Sequence, residues 1–154
     1  QVHTALAKQL ESDAFFETGF PKTIGPELFN LAFVEAAKEQ IGLTVISHED
    51  MMATLNYFTA ITIVHAIKSL VPKVSNVAMY VSGGGLHNPV LMQHLQELLP
   101  DITLQDTNSL GVAPDAKEAV LFALLANETV AGKAMHLTNQ TKLPVSFGKI
   151  SFPV

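Results

Sequence analysis

The sequence predicts an α/β fold, and three observations carry that prediction. Apolar residues recur at helical spacing, as in Phe29, Ala32, Phe33 and Ala36. Between helical segments stands Val77-Ala78-Met79-Tyr80-Val81, a nearly continuous apolar run of strand length. Such a run suits a strand buried on both faces of a parallel or mixed sheet. Three consecutive glycines, Gly83-Gly84-Gly85, then separate it from Asn88-Pro89, a cap and first-turn proline that open a further helix. The order helix, strand, glycine loop, helix, strand, helix describes an α/β lobe.

Taken in order, Val2 to Leu10 forms a short helix. After the loop from Glu17 to Gly25, Pro26 and Glu27 open a second helix, the proline standing where its missing N–H is harmless. Gly42 ends that helix, and Leu43 to Ser47 is a connector or a short strand. His48-Glu49-Asp50 place acidic residues at the start of the long apolar segment Met51 to Val71, where a helix dipole favours them. Pro72 to Asn76 break it. Beyond the glycines, Leu91, Leu95, Leu98 and Leu99 face one way, and Pro100-Asp101 stop their helix. Ile102 to Gln105 is a second short strand. Pro114 opens a last helix to about Asn127, and Leu143 to Val154 alternates as edge strands do.

A length of 154 residues suits one domain, or one lobe of something larger. The chain opens on Gln1, which fits a piece cut from a longer protein. No basic region followed by an apolar one stands at the start, so no signal peptide is visible. A net charge of −5 without a Lys/Arg cluster argues against nucleic acid or an anionic membrane surface as partner. The absence of cysteine excludes disulfides and thiolate metal sites. Asn56, His65, Lys68 and several threonines interrupt the segment Met51 to Val71. They would be costly in hydrocarbon, so a helix through a protein core is expected there rather than a membrane span.

The glycine loop is the first candidate for chemistry. A strand that ends in glycines and runs into a helix N-terminus brings bare backbone toward the positive end of a helix dipole, a setting for a phosphate. It lacks the Gly-Lys-Ser/Thr of a Walker A loop, and Asn88 stands where the third glycine of GxGxxG would be. A tight turn needing positive φ explains one or two glycines equally well. Glu118 is the second. It continues the stripe Leu121, Phe122 and Leu125, as a carboxylate aimed into a cleft would, and it also stands where a helix dipole favours acid. The third is Phe20 to Glu27, with Lys22 and Thr23 ahead of a helix, which a solvated loop also explains. The six histidines show no metal spacing. His87 lies in the glycine loop, and His65 reads as a partnered core residue. Ser82 lacks the GxSxG setting of a hydrolase nucleophile.

Three segments in order, FPKTIGPELFN, VSGGGLHNPVLMQHL and LGVAPDAKEAVLFALLA, together resemble the C-terminal part of anhydro-N-acetylmuramic acid kinases. Ala53 to Ile67 is similar to the threonine-containing helix those enzymes carry between the first two. The likeness runs from about Phe15 to Ala126. It implies one lobe of the sugar kinase/actin-like ATPase class, a ribonuclease H-like fold with a mixed sheet flanked by helices. Residues 1–154 would then be the C-terminal lobe of a two-lobed kinase, with the N-terminal lobe outside this chain.

The implied reaction uses ATP, with Mg2+, and water to open the 1,6-anhydro ring of anhydro-N-acetylmuramic acid and phosphorylate O6. N-acetylmuramic acid 6-phosphate and ADP result, in peptidoglycan recycling in the bacterial cytoplasm. Gly83, Gly84, Gly85, His87 and Asn88 match the family's nucleotide-side loop, and Glu118 matches an acidic residue that helps hold the sugar. Lys22, Thr23 and Gly25 match a loop read in the family as Lys-Ser-Thr-Gly-Arg. Ile24 replaces its threonine and Pro26 its arginine, which removes a polar and a cationic contact. The phosphate loop rich in Gly, Ser and Asp, and the Asp that activates water, belong to the other lobe, so no catalytic residue is assigned here. The resemblance also implies a homodimer, without identifying its surface. A lobe of a different sugar kinase, or a non-catalytic nucleotide-binding or interaction module, are the alternatives.

Overall fold

The computed structural model describes residues 1–70, 77–133, 145, 146, 148, 150 and 151. Among these residues the chain forms six α-helices and one pair of strands: α1 (Thr4–Glu11), α2 (Ala14–Glu17), α3 (Leu31–Gln40), α4 (His48–Leu70), β1 (Val77–Val81), α5 (Pro89–Leu98), β2 (Ile102–Asp106) and α6 (Lys117–Ala131). Short 3-10 turns cover Gly84–His87, Thr107–Leu110 and Pro114–Ala116. β1 and β2 pair in parallel, with α5 as the crossover that parallel neighbours require. The architecture is mixed α/β.

The chain divides into two compact units, Gln1–Met79 with His87–Leu104, and Tyr80–Leu86 with Gln105–Val154. In the first, α4 supplies both cores. Ala60 and Val64, from its second half, are buried with Leu95, Leu99 and Ile102, and Leu91 and Leu98 pack against them. Leu55 and Phe58, nearer its start, pack against buried Leu6, Leu10 and Ala37. The expectations of a helix through the core and of one apolar face on α5 therefore hold. No helix among the described residues is long and apolar enough to cross a membrane.

Polar groups fix the register of these helices. His3 caps α1 by accepting the Leu6 N–H at Nδ1, 3.1 Å away. The His3 N–H reaches Thr54 Oγ1 at 2.9 Å, and that fully buried hydroxyl donates to the Asp50 carbonyl at 2.6 Å. Both bonding capacities of Thr54 are thus used, which offsets the cost of burying it. His65, expected in the core, instead lies with 63% of its side chain exposed and pairs with Glu11 of α1.

Several boundaries differ from expectation. The second helix begins at Leu31, not at Pro26. Residues 26–30 form a tight turn in which the Leu28 and Phe29 N–H groups donate to the Gly25 carbonyl, at 3.2 and 3.3 Å. Asn30 closes it: its Nδ2 donates to the Pro26 and Glu27 carbonyls, and its Oδ1 accepts the Phe33 N–H. An asparagine that can satisfy both sides of a helix start outcompetes the first-turn proline. At the other end of α3, Gly42 takes φ +68. The Leu43 N–H then reaches the Lys38 carbonyl and the Gly42 N–H that of Glu39, a Schellman ending as the glycine predicts.

Residues 43–47 are a connector and form no strand, and nothing in the spacing of the sequence signals the short α2. β1 shows alternating exposure, with Tyr80 43% exposed, rather than burial on both faces, and β2 is its one pairing neighbour among the described residues. α6 starts after a 3-10 turn and runs past Asn127 to Ala131. The break at Pro72 to Asn76 lies outside the described residues, as does most of the alternating tail, in which Val145 forms a bridge.

Candidate functional site

The glycine loop does not run straight from strand to helix. Gly83 turns the chain at φ +84, a conformation that penalises any side chain. The Leu86 N–H then bonds the Gly83 carbonyl at 3.1 Å, closing the 3-10 turn Gly84–His87 before α5 begins. One N–H expected to be bare is therefore spent within the loop. Asn88 behaves as its sequence predicts: its Oδ1 accepts the Leu91 N–H at 3.1 Å and caps α5. Asn88→Ala is expected to cost about 1 kcal/mol of stability through loss of that cap, measured by urea unfolding.

What the loop does offer is access. A Cβ built on Gly83 or on Gly84 meets no atom within 4 Å. The missing side chains are thus not needed to make room for neighbouring protein. At Gly83 the backbone conformation alone calls for glycine. At Gly84 φ is not positive, so neither strain nor crowding explains the residue. Gly84, Gly85 and His87 are exposed, and Gly83 and Asn88 half-buried.

The same loop is tied to the approach of α6. The Gly83 N–H donates to the Pro114 carbonyl at 3.2 Å, both residues lying in the second unit. Pro114 is buried and opens the 3-10 turn that leads into α6. Glu118 stands in the first turn of that helix, exposed, and among the described residues its carboxylate makes no hydrogen bond or ion pair. Two of the sequence candidates, the glycines and Glu118, are thereby linked through one backbone bond.

Lys22, Thr23 and Gly25 belong to the first unit. The Lys22 ammonium donates to the carbonyls of Phe15 at 2.8 Å and Phe16 at 3.2 Å. It also lies over the rings of Phe15, Phe20 and Phe16, at 4.7, 5.2 and 5.8 Å from their centroids. Contacts of that kind hold a cation in place. Thr23 is exposed, and Gly25 is half-buried at the turn before α3.

Lys22 marks a feature that sequence reasoning missed. Phe15, Phe16, Phe20, Phe29, Phe33 and Phe58 line one groove of about 1000 Å³, which Thr59, Thr62 and Ser69 of α4 also line. Phe15 and Phe29 meet edge to face at 5.5 Å, as do Phe16 and Phe58 at 5.7 Å and Phe29 and Phe33 at 5.4 Å. The signal is present as six of the chain's nine phenylalanines within Phe15 to Phe58. Helical spacing pairs Phe29 with Phe33 in the sequence, but Phe29 lies in the turn before α3, and no spacing accounts for the convergence of the six.

No three His, Asp or Glu side chains among the described residues gather as a metal site would require. The backbone at Gly83 and Gly84 is open to close approach from outside.

The described residues thus form a mixed α/β chain in which a glycine loop follows a strand and is bonded, through Gly83, to the turn before a helix that bears a carboxylate. The family model for anhydro-N-acetylmuramic acid kinase matches residues 1–151, and the chain belongs to that family. It is 49% identical over 154 residues to the anhydro-N-acetylmuramic acid kinase of Pseudoalteromonas translucida, covering 98% of this chain and 38% of that protein. The Pseudoalteromonas atlantica enzyme of the same name is 47% identical, with 99% and 39% covered. That of Salinibacter ruber is 36% identical, with 98% and 38% covered. The chain therefore spans a little over a third of the length of these relatives.

Proposed function

We propose that this chain is the C-terminal lobe of an ATP-dependent kinase for anhydro-N-acetylmuramic acid, built on one lobe of the actin-like ATPase fold. The observation that carries the reading is the open glycine backbone, tied through Gly83 to the helix bearing Glu118, in a chain of this kinase family. In the overall reaction the C1–O6 bond of the anhydro bridge breaks, the oxygen of water joins C1, and O6 receives a phosphoryl group. Bound ATP supplies that group and leaves as ADP.

Gly83, Gly84 and Gly85 let the main chain lie against the nucleotide where any side chain would intervene. His87 and Asn88 end that wall, Asn88 by fixing the start of α5. Glu118 accepts hydrogen bonds from sugar hydroxyls and so orients the sugar. Lys22 is a positioning residue: the carbonyls of Phe15 and Phe16 hold its ammonium, which shapes the loop carrying Thr23 and Gly25 on the phosphate side. General-base catalysis needs a carboxylate within reach of the attacking water. The family's Asp for that step belongs to the N-terminal lobe, so this lobe alone turns nothing over. Mg2+ would enter with the nucleotide, held mainly by its phosphates and water, and would offset their charge. The setting is the bacterial cytoplasm and the assembly a homodimer.

Gly84→Val tests the nucleotide wall. The position has neither positive φ nor a neighbour within 4 Å, so stability is expected to change by less than about 1 kcal/mol. KM for ATP in the full-length protein is expected to rise at least about tenfold, as a branched side chain stands between backbone and ligand. An unchanged KM would remove the loop from the nucleotide site.

Ile24, Pro26 and the engaged Lys22 favour a second reading, a module that makes contacts without catalysis. Calorimetric titration of the full-length protein with ATP and ADP separates the two, since an interaction module gives no saturable heat. A panel of sugars distinguishes the anhydro substrate from those of other sugar kinases.

A further inference from the structure

α6 carries apolar residues on every side and buries none of them. Val130 is 77% exposed, Phe122 67%, Leu124 59%, Leu121 50% and Val120 39%. At about 100° per residue, these five positions point around the whole circumference of the helix rather than along one stripe. A helix apolar all round is stable when surrounded by protein, and exposed apolar surface on this scale marks an interaction site. The chain does pass its side at Thr129, where a Cβ on Gly148 would lie 2.6 Å from Oγ1, and Leu125, Glu128 and Thr129 are half-buried.

Relatives of this chain are much longer, and the match covers 38% of the first of them. We infer that α6 is a core helix of the full-length protein, enclosed by the part of the same polypeptide outside the matched 38%. A second copy does not suit the pattern. A two-fold contact covers one patch of surface, whereas the exposed side chains of α6 face all directions. Enclosure would also fix the helix that presents Glu118, so the sugar contact would depend on polypeptide that this chain does not contain. The inference rests on family membership and on exposure, and does not depend on the kinase chemistry.

Hydroxyl-radical footprinting of the wild-type full-length protein, without nucleotide or sugar, tests it. Oxidation of Leu121, Phe122 and Leu124 would be read by mass spectrometry at two protein concentrations about a hundredfold apart. Enclosure by the same chain predicts oxidation at least about tenfold slower than in the urea-unfolded protein, as for side chains opened only by unfolding, and equal at both concentrations. Rates near the unfolded ones would overturn the inference. So would protection that disappears on dilution, which would assign the surface to a second copy. Failure of the protein to phosphorylate any sugar, with protection intact, would overturn the proposed function and leave this inference standing.

Discussion

Glu118→Ala in the full-length protein is expected to lower kcat/KM for the anhydro sugar by about 10- to 100-fold, the loss of a hydrogen bond to a charged group worth about 1.5–3 kcal/mol. KM for ATP should stay within about twofold, since the nucleotide wall is assigned to the glycine loop rather than to this carboxylate. Glu118 is exposed, stands in the first turn of α6 and has no partner among the described residues, so its removal disturbs little packing. The competing account is that it serves the helix dipole alone. That account predicts about 0.3–1 kcal/mol of lost stability and unchanged kinetics. Steady-state assays with sugar and ATP varied separately, beside urea unfolding, separate the two. Wild-type turnover by the alanine variant would withdraw the assignment.

Leu10→Ala is the expected extreme for stability, a loss of about 2–5 kcal/mol. Leu10 is fully buried in the core where α1 meets α3 and α4, against Leu6 and Ala37. Removing its branched end takes away transfer energy and leaves a cavity, because helices on both sides are pinned by polar contacts. The buried Thr54 ties α1 to α4 through His3, and the Schellman ending at Gly42 fixes the exit of α3. With so little freedom to close the gap, the cost should fall in the upper part of that range. Urea unfolding of the full-length protein, followed by a probe specific to this unit, checks it. A loss below about 1 kcal/mol would mean that the core around α1 collapses freely onto the smaller side chain.

Helices whose apolar residues obey one period are legible in the sequence alone. α5, with its buried Leu95 and Leu99, stands close to where spacing places it, α4 close to where the length of its apolar run places it, and Gly42 and Asn88 act as the end and start that their chemistry predicts. What local reading loses is a choice between competing signals. Pro26 and Asn30 both open helices, and Asn30 wins because its one side chain closes the preceding turn and caps the following helix. β1 carries the composition of a strand buried on both faces, but burial is set by what stacks on it, and composition does not say where that partner lies.

The candidate site divides in the same way. The glycines, Asn88 and Glu118 stand out because each breaks a pattern or completes one. The bond from Gly83 to Pro114, which ties the loop to the helix of Glu118, joins residues 31 positions apart and leaves no trace in either segment. The engagement of Lys22 by Phe15 and Phe16, and the groove of six phenylalanines, likewise depend on a chain path that no periodicity records. Exposure of α6 on all sides is visible in the sequence only as an excess of apolar residues around Glu118. It acquires a meaning when the short span of the chain relative to its relatives is set beside it.

The most direct measurement follows both products of the full-length protein given ATP and anhydro-N-acetylmuramic acid. ADP is read continuously, and the sugar phosphate is identified by phosphorus NMR and mass spectrometry. The proposed kinase predicts ADP release only when the sugar is present, in equal amount to a product that has gained one phosphoryl group on O6 and one water. ADP release that ignores the sugar, or a saturated ATP site with no phosphorylated product, would contradict it.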